Sequence, residues 1–444
     1  MTKLFGTDGI RGVANKELTA ELTYKLGRAA GYLLSIKGSG KGVAIGKDTR
    51  ISGDMLEAAL IAGLCSVGVD VYRLGVIPTP AVAYLTKELD KSAGVVISAS
   101  HNPFPDNGIK FFSEQGMKLS DETELELENL IDLERKLPFP TGGGMGRVYE
   151  VESAGELYKE HIKSHFKGSL NGFKIVLDCS HGAAFELAPK LLRELGAEVV
   201  TLFSDPDGTN INCNCGSTHL TALQAGVVSE QAHLGLAHDG DADRVLAVDE
   251  QGRIIDGDQI LVICALALKE RNQLKDNKLV VTVMSNLGLF KAMEQAKIEV
   301  IETKVGDRYV LEKMLETGAV LGGEQSGHII FLNQNSTGDG LVTALNILQA
   351  MVDSGKKLSF LGDQMQKFPQ VMLNATVEDK IKALQNVKVK EGVFQAQKRL
   401  AAQGRILIRP SGTEPVIRVM AEGTDYEELQ EIVKGLVALI ETTQ

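Results

Sequence analysis

The sequence predicts an α/β protein: three similar mixed α/β domains and a smaller C-terminal α+β domain. Three observations predict it. One phrase recurs: an apolar strand, a glycine-containing turn, an amphipathic helix and a second strand. Its copies are GVAIGKDTRISGDMLEAALIAGLCSVGVDVYRL at 42–74, GFKIVLDCSHGAAFELAPKLLRELGAEVVTLF at 172–203 and NKLVVTVMSNLGLFKAMEQAKIEVIET at 277–303. Strands alternating with helices of this length read as βαβ units in a mixed, largely parallel sheet. The wide spacing of the copies makes three domains of like build. From 369 onward the phrase is lost and short strands surround one helical stretch.

In the first domain, taken as 1–152, the stretch 42–74 carries the phrase, and VISAS reads as a strand that ends in a turn at Ser100. The acidic run DETELELE at 121–128 reads as a solvated helix face, and KLPFPTGGGMG at 136–146 as a Pro/Gly-rich linker. The second domain, 153–254, contains KIVL and EVVTL as buried strands around a helix with Ala184, Ala188, Leu191, Leu192 and Leu195 at helical spacing. A transition near 250–258 opens the third domain, 255–368. The fourth, 369–444, has strands VMLNATV, RILIR and VIRVMAE, the helix-like VFQAQKRLAA and a closing helix. TDYE reads as that helix's capping box, Thr424 with Glu427, and Leu429, Ile432, Val433, Leu436 and Ile440 form its apolar face.

Composition narrows the function classes. Apolar residues at 43% and charged residues at 24% of 444 are ordinary for a globular chain able to build a core. The 47 glycines exceed the roughly 31 that average usage of about 7% would give, which suggests many tight loops where backbone approaches ligand. A net charge of −11 gives no support to nucleic-acid or anionic-membrane partners, yet local Arg/Lys clusters can still hold phosphate. MTKLFGTDGIRG has no apolar h-region, and the longest apolar stretch, ILVICALAL at 260–268, is too short to span a bilayer. The expectation is a cytoplasmic protein. The cysteines, Cys65, Cys179, Cys213, Cys215 and Cys264, are odd in number and read as free thiols; Cys213-Asn-Cys215 lacks a second Cys/His pair for a metal.

Four clusters carry chemistry. In VISASHNP, Ser100 ends a strand where α/β proteins bind ligands, and Lys110 is near in sequence. On local residues alone, an ordinary strand exit and a presented nucleophile fit equally well. In AHDGDADRVLAVDE, Asp239, Asp241 and Asp243 point to one side of an extended or loop chain. Such carboxylates repel unless a cation sits among them, and hard oxygen ligands suit Mg²⁺ or Ca²⁺. A calcium loop fails, because Arg244 stands where its sharp turn needs glycine and VLAV reads as strand. That leaves a Mg²⁺ site or a plain acidic loop. In GGEQSGHIIF, Glu324, Ser326 and His328 alternate on a short loop and suit vicinal sugar hydroxyls, a weak signal by itself. In IRPSGTEPVIR, Ser411, Gly412 and Thr413 form a small loop flanked by Arg409 and Arg418, which suits phosphate. Together the four fit phosphoryl transfer on a sugar phosphate.

On these motifs the sequence resembles the α-D-phosphohexomutase superfamily, and within it the family of bacterial phosphoglucosamine mutases. FGTDGIRG at 5–12, ISASHNPFPDNGIK at 97–110, DGDADR at 239–244, VGDRYV at 305–310, GEQSGH at 323–328 and RPSGTEP at 409–415 carry the resemblance, which covers essentially the whole chain. STHLTAL at 217–223 departs from it, with no proline after the histidine. The resemblance implies a heart-shaped, four-domain enzyme with a central cleft. It implies that Ser100 carries the phosphoryl group and that Asp239, Asp241 and Asp243 hold Mg²⁺ with a phosphoserine oxygen. His101, Lys110, Arg11 and Arg244 would line the transfer site. Gly306, Asp307, Glu324, Ser326 and His328 would bind the sugar, and Arg409, Ser411, Gly412, Thr413 and Arg418 the phosphate not being transferred. The implied reaction interconverts glucosamine 6-phosphate and glucosamine 1-phosphate through a 1,6-bisphosphate, feeding UDP-N-acetylglucosamine and cell-wall synthesis. A hexosamine or glucose 1,6-bisphosphate would be the activator and a homodimer the candidate assembly. The rival reading is phosphoglucomutase/phosphomannomutase activity. A dead sugar-phosphate sensor would have lost Ser100 or an aspartate, and neither is lost; a Mg²⁺-dependent phosphatase is disfavoured by a cleft closed on the bisphosphate.

Overall fold

The computed structural model describes residues 4–6, 8–37, 41–132, 137–411 and 415–443. The first sheet is built from β1 (Ile10–Val13), β2 (Val43–Lys47), β3 (Val71–Val76), β4 (Ala93–Ile97), β5 (Asp106–Ser113) and β6 (Val148–Glu150), in the order β1-β5-β4-β2-β3-β6. Helices α1 (Ala20–Lys37), α2 (Ser52–Ser66), α3 (Thr79–Glu88) and α4 (Asp121–Asp132) complete it. β2 pairs in parallel with both β3 and β4, and β4 pairs antiparallel with β5. β2 and β4 are buried along their whole length, which is why their sequences run apolar without alternation. Leu26, Leu33, Leu56, Leu60 and Leu64 from α1 and α2 join Val43, Ile45, Val95 and Ile97 in one core. The two helices approach closely through small residues: a Cβ on Gly63 would lie 2.3 Å from the Tyr24 carbonyl oxygen.

The second sheet uses β7 (Lys174–Asp178), β8 (Glu198–Leu202), β9 (Leu234–His238), β10 (Val245–Asp249) and β11 (Ile254–Ile255), with α5 (Ala154–Ser164), α6 (Leu187–Glu194) and α7 (Thr221–Ser229). The order is β11-β10-β9-β7-β8. The third uses β12 (Lys278–Thr282), β13 (Glu299–Thr303), β14 (Leu321–Gly323) and β15 (Ile329–Phe331) in the order β13-β12-β14-β15. Its helices are α8 (Gly257–Glu270), α10 (Asp307–Thr317), α11 (Gly340–Ser354) and α12 (Leu358–Gly362), while α9 (Leu287–Gln295), which links β12 to β13 along the chain, belongs to the compact unit of the C-terminal domain. The three sheets repeat one plan. β2/β3, β7/β8 and β12/β13 are the parallel pairs of the recurring phrase. The next strand adds in parallel on the other side and returns as an antiparallel hairpin: β4/β5, β9/β10 and β14/β15.

The C-terminal domain has the antiparallel sheet β16-β18-β17, from β16 (Gln370–Thr376), β17 (Arg405–Pro410) and β18 (Val416–Glu422), with α13 (Lys380–Gln385), α14 (Val387–Leu400) and α15 (Tyr426–Thr442). Ala375, Ile417, Val419 and Ala421 pack with Leu429, Val433, Leu436 and Ile440. Contacts divide the chain into two compact units, residues 1–284 with 298–364, and 285–297 with 365–444. No described helix is long and apolar enough to cross a membrane.

Three local expectations need correction. The cap of α15 is Asp425, whose Oδ1 accepts from Glu427 N and Glu428 N at 3.0 and 3.2 Å; Thr424 comes one residue too early. α6 starts at Leu187, so Ala184 is buried in a turn and not in the helix; Ser180 and His181 have φ of 50° and 49°, which no helix can begin through. The acidic face of α4 is not only solvated, since Glu128 Oε1 accepts from Leu4 N and Phe5 N, both at 2.7 Å. The five cysteines are free thiols, with Cys213 exposed and Cys215 buried.

Candidate active site

The three hairpins deliver three loops to one place. Ser100 follows β4, Asp239–Asp243 join β9 to β10, and Glu324–Gly327 join β14 to β15. Because the hairpins occupy equivalent positions in their sheets, their turns emerge at equivalent edges. Ser100 has φ 51° and Ala242 φ 54°, left-handed values that let each chain reverse at once after its strand.

Ser100 Oγ donates to Asp239 Oδ2 at 2.6 Å and lies 3.2 Å from His101 Nδ1. Asp241 Oδ2 accepts from Thr79 Oγ1 at 2.6 Å and from Lys110 Nζ at 3.1 Å. Lys110 also reaches Asp8 Oδ2 at 3.2 Å and Asp243 Oδ2 at 3.6 Å. One oxygen from each of Asp239, Asp241 and Asp243 fits within 4.8 Å of the others, and all three residues are buried. Burial and the charges of Asp243 and Asp241 push the Asp239 carboxyl well above the usual carboxylate range. Burial alone would do the same to Asp241, but the Lys110 charge and the Thr79 hydroxyl hold it below that range. Burial works to lower Lys110, and Asp241, Asp8 and Asp243 more than offset it, so the ammonium stays charged. Burial, then Arg244 and Arg11, keep His101 below its ordinary value and so neutral.

This nest fits a hard cation. Asp241 Oδ1 and Asp243 Oδ1 are buried and have no hydrogen-bond partner among the described residues. A buried carboxylate oxygen in that condition is costly unless a metal answers it. The donors are all oxygen, which selects Mg²⁺-like ions over zinc.

Glu324 Oε1 accepts from Gly306 N at 3.1 Å, so the Val305–Val310 stretch and the Glu324 loop are tied together. Ser326 Oγ is buried without a hydrogen-bond partner among the described residues. His328 closes the loop one residue before β15 and is 3% exposed; its Nε2 is 3.6 Å from Asp307 Oδ2 and 4.0 Å from Asp243 Oδ2. Asp307 also pairs with Lys118, which donates to Asp8 Oδ1 at 2.6 Å. Arg11 pairs with Asp8, and Arg244 Nε lies 3.7 Å from Asp243 Oδ1.

In the C-terminal domain, Arg409 and Arg418 are direct partners across β17 and β18. Two like charges opposite one another destabilise a sheet unless an anion lies between them. Among the described residues Arg409 Nε is buried without a hydrogen-bond partner, and burial together with Arg418 lowers its pKa. Ser411 N donates to Val416 O at 2.9 Å, and its carbonyl accepts from Lys380 at 2.7 Å. Gly412 and Thr413 lie outside the described residues.

Sequence reasoning missed Asp8, Arg50, Thr79 and Lys118. Asp8 sits inside FGTDGIRG, and a charged pair on one motif was the available signal. Arg50 closes KDTR just beyond a central strand, the edge where ligands gather. Thr79 and Lys118 carry no local signal, because only the packing of the domains brings them in.

A chain of three equivalent sheets, a serine in a carboxylate nest and a paired-arginine sheet defines a phosphohexomutase class. Phosphoglucomutase/phosphomannomutase family models match throughout: alpha/beta/alpha domain I at 2–137, domain II at 156–252, domain III at 256–368 and the C-terminal domain at 372–439. The chain belongs to that family. It is 58% identical over 441 residues to the phosphoglucosamine mutase of Desulforamulus reducens, covering 99% of both chains. It is 59% identical over 442 residues to that of Carboxydothermus hydrogenoformans, covering 99% of this chain and 100% of the relative. The crystal structure of a phosphoglucomutase/phosphomannomutase family protein from Burkholderia thailandensis superposes with TM-score 0.84 at 28% identity, over 100% of this chain and 98% of that one.

Proposed function

We propose that the chain is an intramolecular phosphotransferase interconverting glucosamine 6-phosphate and glucosamine 1-phosphate, with Ser100 as the phosphate carrier. The observation that carries this reading is the Ser100 hydroxyl, 2.6 Å from Asp239 inside a buried three-carboxylate nest with Lys110 beside it. The reading gives the serine loop to 1–152, the carboxylate loop to 153–254, the sugar loop to 255–368 and the phosphate loop to 369–444.

From phosphorylated Ser100, the bond between Oγ and phosphorus breaks, O1 of glucosamine 6-phosphate takes the phosphoryl group, and the proton given up by O1 ends on Ser100 Oγ. The 1,6-bisphosphate then presents its other end. Ser100 Oγ loses its proton and takes the phosphoryl group from O6, which is protonated as glucosamine 1-phosphate leaves. A serine hydroxyl is a poor nucleophile, so positioning and charge neutralisation must supply the rate. Lys110 stays protonated beside Asp241 and Asp243. Asp239, Asp241 and Asp243 would hold Mg²⁺, with the two orphaned Oδ1 atoms as ready ligands. Bound there, the ion would neutralise charge on the phosphoryl oxygens. Glu324 and Ser326 would grip sugar hydroxyls, with Gly306 and Asp307 fixing that loop and His328 buttressing Asp307. Arg409, Ser411 and Arg418, with Gly412 and Thr413, would hold the second phosphate. An added hexosamine or glucose 1,6-bisphosphate would restore phosphate lost from Ser100.

Intact mass with and without phosphatase tests whether Ser100 carries phosphate, and a substrate panel tests the sugar. Ser100→Ala should keep its fold and lose several orders of magnitude in turnover, as covalent catalysis without its nucleophile must. An alanine chain above about 1% of wild-type turnover would sink the mechanism. Faster turnover of glucose 6-phosphate than of glucosamine 6-phosphate would move the chain to the glucose branch.

A further inference from the structure

Arg50 touches no reacting atom, yet it is built into the loop that holds one. Its side chain is 0% exposed. A guanidinium has five N–H donors in a fixed fork. All five are taken here. Nε donates to Asp48 Oδ2 at 2.9 Å. Nη1 donates to Pro103 O at 2.6 Å and Asp106 O at 3.1 Å. Nη2 donates to Ser100 O at 2.9 Å and Asn102 O at 2.8 Å. Four of the five acceptors are main-chain carbonyls of one loop, that of Ser100.

The other polar atoms of Ser100 are held from the same source. Ser98 Oγ donates to Asp48 Oδ2 at 2.6 Å and accepts from Ser100 N at 3.0 Å. Asn212 Nδ2 adds donors to Ser100 O at 2.8 Å and Asn102 O at 3.0 Å. Sheet order explains why Arg50 can do this. β2 and β4 are parallel neighbours, so the chain leaving β2 runs beside the chain leaving β4, and Asp48 N donates to Ile97 O at 3.1 Å.

Ser100 needs this support. Its φ of 51° is a left-handed value that a residue with a Cβ adopts at a cost. Such a conformation persists only where the surroundings over-determine it. If the peptide relaxed to ordinary φ, its side chain would swing, and Oγ would leave Asp239.

We propose that Arg50 is a positioning residue for phosphoryl transfer, locking the Ser100 peptide in the left-handed conformation that aims Oγ into the carboxylate nest. The proposal rests on Ser100 being the phosphate carrier.

A brace that merely stabilised the fold would change the amount of folded protein and leave kcat of the folded chain alone. A positioning residue lowers kcat and spares KM. Arg50→Lys keeps a positive charge opposite Asp48 but offers at most three donors and no fork. In the full chain it should lower kcat about 100-fold, the scale on which a misplacement of about 1 Å acts. KM for glucosamine 6-phosphate should stay within about threefold, since the sugar contacts are untouched. Loading of phosphate onto Ser100 from glucose 1,6-bisphosphate, followed by intact mass, should slow by a similar factor. Asn212→Ala removes the second donor to the same carbonyls and should lower kcat about tenfold; it carries the test alone if Arg50→Lys does not fold. A folded Arg50→Lys chain with wild-type kcat overturns the proposal. So does a loss of turnover that only tracks the loss of folded protein, or, if Arg50→Lys is insoluble, a wild-type kcat in Asn212→Ala. Ser100→Ala is measured alongside. If it retains turnover, the phosphate-carrier reading falls and the positioning role with it. If it is inactive while Arg50→Lys is normal, only the positioning role falls.

Discussion

The three aspartates could be read from the sequence because their motif is local, carboxylates at alternate positions on one loop, whereas for Ser100 the local residues gave a strand exit and left its chemistry open. Their partners could not be read. Thr79 reaches Asp241 across 162 positions and Lys118 reaches Asp307 across 189, so no window along the chain contains both ends. Titration can test the residues that fix these loops. Asp178 ends β7, and its carboxylate accepts from Ser180 N at 2.8 Å and Gly216 N at 2.9 Å. Burial raises its pKa from 3.8 to about 6, against the pull of those two amides. With the folded value above the unfolded one, the native state binds the proton more tightly between the two. Stability from this group is present below the unfolded value and falls as pH rises through about 6. The whole effect is about 3 kcal/mol at most, at roughly 1.4 kcal/mol per pH unit. Asp178→Asn removes it. Urea unfolding of the two chains at pH 4.5 and 7 should show wild type losing about 2 kcal/mol relative to the variant. A difference independent of pH would refute the assignment.

The recurring strand–turn–helix phrase was legible because buried parallel strands read as unbroken apolar runs. Of the hairpins that follow, the third was not, since β14 and β15 are three residues each and carry no periodicity to read. The equivalence extends to chemistry. At the exits of the central strands β2, β7 and β12, Asp48, Asp178 and Thr282 each accept a hydrogen bond from the main-chain N–H two residues on, at 2.9, 2.8 and 3.3 Å. The same local turn, made three times, launches each loop. One helix also serves the site directly. Asp339 caps α11, accepting from Leu341 N and Val342 N at 3.0 Å, and its other oxygen accepts from Tyr158 Oη and Asn335 Nδ2, both at 2.8 Å. Gly340 N then donates to Ala242 O at 3.0 Å, so the helix start steadies the aspartate loop. Asp339→Ala should cost about 2 kcal/mol, because the cap is lost and a buried tyrosine hydroxyl is stranded. It should also weaken Mg²⁺ binding to the full chain. Unchanged unfolding together with unchanged metal affinity would show that α11 does not steady that loop.

Ser100, Lys110 and all three aspartates belong to one compact unit, residues 1–284 with 298–364, and Arg409 and Arg418 to the other. A chain of two units need not melt as one. Scanning calorimetry of the full chain should resolve two transitions, and only one should respond to Mg²⁺. The reason is linkage: an ion bound by the native carboxylate nest, and not by the unfolded chain, stabilises the unit that contains it. At a concentration 100 times the Kd the gain is about 2.7 kcal/mol. For a unit of roughly 350 residues, whose unfolding entropy is about 0.7 kcal/mol per degree, that moves the midpoint by about 4 °C. The shift should be larger when Ser100 is phosphorylated, because the phosphate adds an anionic ligand beside Asp239. It should vanish in Asp241→Asn and reverse on chelation. Equal shifts in both transitions, or a full shift surviving in Asp241→Asn, would mean that the ion binds elsewhere and that the nest of Asp239, Asp241 and Asp243 is not the metal site.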